Sequence, residues 1–266
     1  MKKIRGLALV LVVGWMAYGV MPVLAEEINV VGTGAGAALF DALGKAFTKS
    51  NPSITIGVPK SIGSGGGMKA VGTDEALVGR VSRGINDKEK EYNLTYLPIA
   101  KIPVVFFTHK SVGIKNVSAK QICSIYAGET SNWKLVGGKD SDIRVVRRED
   151  GDSSLDVLLK SFPGFKDITI TTKSKTALND QEAVEGVLRK EGSIGFGSFD
   201  NTKSIDAITL TIDGKAPSDA AYPYFGTLAL IFKEKNKAGS IAKFAEFAKS
   251  KAAADHQRGR WVAVLG

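Results

Sequence analysis

Three short segments combine glycine, hydroxyl and charge in a way that suits an anion. They are Gly32-Thr33-Gly34-Ala35-Gly36-Ala37, Gly63-Ser64-Gly65-Gly66-Gly67, and the stretch from Arg148 to Ser154. Each follows a strand-like apolar run and precedes a helix-like one. A helix N-terminus carries about half a positive charge and several unpaired N–H groups. Glycine lets a ligand come close to the backbone. Several such termini aimed at one crevice make an anion site. Arg148, between a strand end and a helix start, adds a guanidinium able to form charge-assisted bonds to an oxyanion.

Other chemistries fit these residues less well. Gly32-x-Gly34-x-x-Ala37 matches a dinucleotide fingerprint, but no carboxylate stands about 20 positions on, where a ribose partner belongs. Lys69 is followed by Ala70 rather than Ser or Thr, so the second loop is not a Walker loop. No Gly-x-Ser-x-Gly elbow occurs. A Ser-His-Asp triad has only His109 and His256 to draw on. A glycosidase carboxylate pair has no positive support. With one cysteine, Cys123, and two histidines, neither an intrachain disulfide nor a Cys/His zinc cluster can form. The expectation is a binding protein, not an enzyme, with no catalytic residues, no metal and no cofactor.

The flanking elements are those that position such loops. Ile28 to Val31 and Ile54 to Val58 read as strands, and Leu39, Leu43 and Phe47 recur at helical spacing. Asn51-Pro52 stops that helix. Met68 to Val71 begins another. Strand, glycine loop, helix, repeated, predicts a parallel α/β arrangement. Further on, Leu94 to Ile99, Val104 to Phe107, Ile143 to Arg147, Ser193 to Phe196, Ile208 to Ile212 and Thr227 to Phe232 read as strands. Ser118-Ala119-Lys120-Gln121 is a capping box, with Gly128 at the expected C-cap. Helices also follow over Leu155 to Phe162 and Gln181 to Lys190, and after a Ser240 cap.

The 266 residues are 44% hydrophobic and 24% charged, an ordinary globular balance that excludes a polytopic membrane protein or a disordered chain. Lys2, Lys3 and Arg5, the apolar run from Leu7, Pro22 and the small-residue site Val23-Leu24-Ala25 form a secretory signal peptide pattern, with cleavage expected after Ala25. That places the mature chain in the periplasm, not embedded in the membrane. The net charge of +9 is dispersed rather than gathered on one basic face, so nucleic acid is not an expected partner.

Several ordered segments together resemble the periplasmic phosphate-binding proteins that serve ABC importers, a class II solute-binding family. Val31-Gly32-Thr33-Gly34 is similar to the family's first ligand loop, and Ile62 to Ala70 to its second. Gln121 to Gly128 and Thr130-Ser131-Asn132-Trp133 resemble its helix and Asn-Trp turn. Val145 to Gly151 resembles its strand and third loop, and Gly192 to Phe196 its Gly-Ser-Ile-Gly strand. The resemblance runs from about Ile28 to the C-terminus.

It implies a two-lobed α/β fold, each lobe a mixed, mostly parallel sheet flanked by helices, joined by a two-strand hinge near Val104 to Phe107 and Tyr222 to Leu228. After the signal peptide (1–25), lobe 1 would comprise 26–104 and 225–266, and lobe 2 105–224. The implied ligand groups are Thr33, Gly34, Ser64, Gly65, Ser82, Arg148, Asp152, Ser153 and Ser154, with Asp150 orienting Arg148. The implied function is capture of a small oxyanion, inorganic phosphate first, and its delivery by a monomer to an ABC permease. Three positions depart from the family: Gly34 where a second hydroxyl is usual, Ser82 in place of a proton-accepting aspartate, and Asp152 in place of serine. Asp152 either caps the following helix with N–H groups an anion would use, or accepts a proton from the ligand. Two alternatives stay open: the same scaffold with a small carboxylate ligand, and a ligand-free interaction or sensing module. Arg80 and Arg83, flanking Ser82, add charge that either enters the cleft or is solvated.

Overall fold

The computed structural model describes residues 26–250 and the backbone of 263–264. The expected signal peptide, residues 1–25, and His256 lie outside the described residues. No helix among the described residues is long and apolar enough to cross a membrane.

The chain opens with β1 (Glu26–Gly32), α1 (Ala37–Ser50), β2 (Ile54–Gly57), α2 (Gly63–Gly72) and β3 (Val78–Val81). In β1 the side chains alternate, and Ile28 and Val30 turn inward. In α1 the buried Leu39, Leu43 and Phe47 form the expected stripe. Strands β2 and β3 both pair parallel to β1. The second glycine segment is not a turn before a helix; it is the first turn of α2 itself. A Cβ at Gly67 would come within 2.8 Å of Gly32 Cα, so the glycines are what let this helix press onto the end of β1.

Next comes β4 (Leu94–His109), a single 16-residue strand where two were expected. It contains Pro98 and Pro103, which cannot donate to a ladder. A bulge in β4 follows the first: the register slips between Leu228 and Ala229 of the partner strand, leaving Ile99 as the extra residue.

The following elements are β5 (Asn116–Val117), α3 (Ala119–Ala127), β6 (Arg144–Arg148), α4 (Ser153–Ser161), β7 (Lys175–Ala177), α5 (Asp180–Leu188), β8 (Ser193–Ser198), α6 (Phe199–Thr202), β9 (Ala207–Thr209) and β10 (Thr211–Ile212). The chain returns through β11 (Phe225–Lys233) and α7 (Gly239–Lys249), and β12 (Ala263–Val264) adds to β4. The capping box of α3 forms: Ser118 Oγ accepts from Gln121 N, and Gln121 Oε1 accepts from Ser118 N. Ser240 does not cap α7; it lies in the first turn and its hydroxyl bonds Glu26.

The main sheet runs β2-β1-β3-β11-β4-β8-β6-β7. It is mixed: β11 is antiparallel to β3 and β4, β8 antiparallel to β4, and β6 parallel to β7 and β8. Strand β4 serves two halves. Residues 94–103 pair with β11, and residues 104–109 with β8 and β9. The hydrophobic clusters divide at the same place. Ile28, Leu39, Phe47, Ile102, Leu228 and Phe244 pack in one, and Val104, Phe106, Tyr126, Trp133, Leu158 and Phe196 in the other. Beside β4 the chain crosses back, where Val104 N donates to Tyr224 O at 2.9 Å.

Candidate functional site

The helix starts α1, α2 and α4 all meet the boundary between the halves. Gly32 (φ +130°) ends β1 so close to Arg80 that a Cβ would lie 2.1 Å from its carbonyl oxygen. Gly36, the residue before α1, is in the left-handed region and supplies no side-chain cap. Ile62, before α2, supplies none either. α4 differs: Asp152 Oδ1 accepts from Leu155 N at 2.9 Å, a capping carboxylate. One of the two readings left open for Asp152, helix capping, is thus realised.

Four hydroxyls converge, all buried. Thr33 Oγ1 lies 3.3 Å from Ser82 Oγ. Ser82 N donates to Ser64 Oγ at 3.1 Å, and Ser82 Oγ donates to Ser153 Oγ at 2.5 Å. The last bond joins the residue just after β3, in the first half, to α4 of the second. Ser154 is buried next to Ser153 in the same helical turn. Gly65, in the first turn of α2, faces Arg83: a Cβ there would sit 3.6 Å from Arg83 Nη2.

Arg148, at the end of β6, is 1% exposed and faces three carboxylates. Nη2 is 2.9 Å from Asp152 Oδ2, Nη1 is 3.3 Å from Asp180 Oδ1, and Nε is 3.1 Å from Glu149 Oε2. Burial works against its charge, but Asp152, Asp180 and Glu149 outweigh burial and hold its pKa above the ordinary value. Asp152 is pushed the other way: burial raises it to about 6 against the opposing pull of Arg148, and Asp180 adds repulsion.

Asp150 does not orient Arg148. It is exposed and pairs with Arg147, its neighbour three residues back. Consecutive residues of β6 point to opposite faces, so Arg147 turns outward while Arg148 turns inward. The inward guanidinium is held instead by Glu149, Asp152 and Asp180.

Neither flanking arginine is solvated. Arg80 is wholly buried beneath the first loop, with Nε donating to Thr33 O at 2.6 Å, Nη2 to Pro59 O at 2.7 Å and Nη1 to Val30 O. Burial lowers its pKa to about 10, which leaves it charged at neutral pH. Arg83 makes a bidentate pair with Glu89, both bonds 2.7 Å, and Nε donates across the boundary to Gly151 O at 3.1 Å. A cavity of about 600 Å³ opens at this boundary, lined by the first turn of α2, by Arg83 and by Glu149 to Gly151.

Asp180 escaped the sequence reading. It opens α5 after the Asn179 cap, and an acidic residue in a first helical turn is commonplace. Only the fold brings it to Arg148 and to the first loop, where Gly34 N donates to Asp180 Oδ2 at 3.0 Å.

Two α/β halves sharing one long strand, with hydroxyls, helix starts and a buried arginine gathered at their boundary, define a protein of the periplasmic-binding class. The model of the PBP superfamily domain matches residues 22–252, and the chain belongs to that family. It is similar to the phosphate-binding protein PstS of Bacillus subtilis, 26% identical over 205 residues. That alignment covers 72% of this chain and 63% of the relative, less than two thirds of its length. Among solved structures, a substrate-binding protein from Clostridium perfringens, assigned to a phosphate ABC transporter and holding bound phosphate, is 25% identical with a TM-score of 0.81. The match covers 91% of this chain and all of that one. An ABC-type phosphate transport receptor from Vibrio cholerae, 19% identical with a TM-score of 0.66, shares the fold over 90% of this chain and all of its own.

Proposed function

We propose that this chain is an extracytoplasmic solute-binding protein that captures inorganic phosphate between its two halves and hands it to an ABC import permease. The observation that carries the reading is the likeness, over the whole of its length, to the phosphate-holding C. perfringens protein. The site supports it. Thr33, Ser64, Ser82 and Ser153 offer hydroxyls that can donate to oxyanion oxygens. Gly34, Gly65 and Ser154 offer backbone N–H groups at helix starts, and Arg148 offers a charged fork. Binding without chemistry suffices for this role.

We assign 26–104 and 225–266 to lobe 1 and 105–224 to lobe 2, with β4 and the segment around Tyr224 as the hinge. The division of the hydrophobic clusters supports this. Residues 1–25 serve as the export signal, and the mature chain works as a periplasmic monomer. Closing on the ligand is a hinge motion that favours the liganded state.

The test is a calorimetric titration of phosphate into the protein after unfolding and refolding to strip carried-over ligand. Saturable binding at micromolar or tighter Kd, about 8 kcal/mol or more, is the expected result. No heat at millimolar phosphate, with the protein shown to be folded, overturns the reading in favour of another ligand or of an interaction module.

A further inference from the structure

We infer that Asp180 is an internal carboxylate ligand of the first glycine loop: it latches the two halves together in the ligand-free protein and competes with the oxyanion for the Gly34 amide. The competition rests on the phosphate reading above; the latch does not.

Asp180 belongs to α5, in the second half, and is 6% exposed. Its Oδ2 accepts from Gly34 N at 3.0 Å and from Ser61 Oγ at 3.1 Å, both in the first half. Its Oδ1 lies 3.3 Å from Arg148 Nη1. A backbone N–H and a hydroxyl, donors an oxyanion would use, are taken by one carboxylate, which also lies in ion-pair range of the Arg148 guanidinium. Gly34 is shaped to this contact, since a Cβ there would lie 2.4 Å from Asp180 Oδ2.

A second carboxylate repeats the pattern. Asp200, in α6 of the second half, accepts from Gly36 N at 2.9 Å. Helix α1 has no side-chain cap of its own, and two amides of the loop that leads into it, Gly34 and Gly36, are served by carboxylates from across the boundary. An anion at a helix N-terminus is favoured by both the N–H groups and the helix dipole. Each such bond therefore draws the halves together.

The same geometry opposes the ligand. One N–H serves one acceptor in good geometry. An oxyanion that takes Gly34 N must displace Asp180, or lie against its negative charge. A ligand shifts a conformational balance only by its differential affinity for the two states. Asp180 must give up the Gly34 amide before an oxyanion can take it, and that exchange lowers the apparent affinity.

The experiment compares wild type, Asp180→Ala and Asp200→Ala by small-angle scattering, by hydrogen exchange of the Gly34–Gly36 amides, and by phosphate titration. The latch predicts a compact ligand-free wild type with protected amides at Gly34 and Gly36. Asp180→Ala should expand the ligand-free protein, speed exchange at Gly34, and raise phosphate affinity about tenfold. Asp200→Ala, which leaves Arg148 untouched, should expand it as well. Wild-type measurements alone decide if a variant fails to fold: a ligand-free wild type as open as a hinged protein, with fast exchange at Gly34, overturns the latch. So does an unchanged scattering profile in folded Asp180→Ala. Unchanged or lower phosphate affinity in that variant overturns the competition and leaves Asp180 as a support for Arg148. If neither protein binds phosphate yet Asp180→Ala expands, the phosphate reading fails and the latch stands.

Discussion

Arg148 Nη2 lies 2.9 Å from Asp152 Oδ2, and both side chains are almost wholly buried at the boundary between the halves. The pair ties the end of β6 to the start of α4. It places one positive and one negative charge where an oxyanion is proposed to bind, so its balance governs both stability and affinity.

Replacing Arg148 separates these effects. Arg148→Ala leaves Asp152 and Asp180 without their guanidinium, and breaking a buried pair costs about 3–5 kcal/mol. Arg148→Lys keeps the charge but loses the planar fork. With hydrogen bonds to charged groups at about 1.5–3 kcal/mol, phosphate affinity in Arg148→Lys should fall about tenfold to a hundredfold. Denaturant melts of the first variant and calorimetry on the second check this; unchanged affinity in Arg148→Lys removes Arg148 from the site.

The Asp152 carboxyl gives a pH signature. Its pKa is about 6 in the folded protein against 3.8 ordinarily, so the folded state holds the proton more tightly than the unfolded chain. The stability linked to that proton is fully present below pH 3.8 and is lost as the pH rises through about 6. Asp152→Asn preserves a helix cap and removes the titration. Urea unfolding from pH 4 to 7 should show wild type losing stability relative to Asp152→Asn as the pH rises. Phosphate affinity should follow: the deficit of wild type against Asp152→Asn shrinks from pH 7 to pH 5. Parallel pH profiles for the two proteins contradict the assignment.

What the sequence made legible, and what it hid, follows the range of the interactions. The α1 stripe and the α3 capping box are decided within a few residues, and both form as read. The glycine loops and Arg148 were legible because local patterns mark strand ends and helix starts. The single span of β4 was hidden by Pro98 and Pro103, because the bulge that follows Pro98 is made with β11, more than 120 residues away. The resemblance implies that Asp150 orients Arg148, but strand alternation turns Arg147 toward it instead. The role of Asp180 depends on a contact spanning 146 residues, for which no local signal exists.

The glycines of α2 make a paired test of close approach. Gly67→Ala places a Cβ 2.8 Å from Gly32 Cα, a backbone atom that cannot yield without moving β1 or α2. Overpacking of this kind costs about 1–3 kcal/mol, more than the ~1 kcal/mol that alanine gains over glycine in a helix. Gly66→Ala meets only the Ile62 side chain, at 3.2 Å and beyond. Thermal melts should therefore show Gly67→Ala destabilised and Gly66→Ala neutral or stabilised. The reverse order contradicts the packing of α2 on β1.

The bond from Ser82 to Ser153 joins the halves directly, and it tests how phosphate would be held. In the structure Ser82 Oγ donates to Ser153 Oγ. A double-mutant cycle with Ser82→Ala and Ser153→Ala should give a coupling of about 1 kcal/mol in unfolding experiments. Once phosphate is bound, both hydroxyls are proposed to donate to the ligand rather than to one another. The same cycle at saturating phosphate should then show direct coupling falling toward zero, while each single variant loses phosphate affinity. Coupling that persists unchanged with phosphate present means that the two hydroxyls stay bonded to each other, and the ligand is held elsewhere in the cleft.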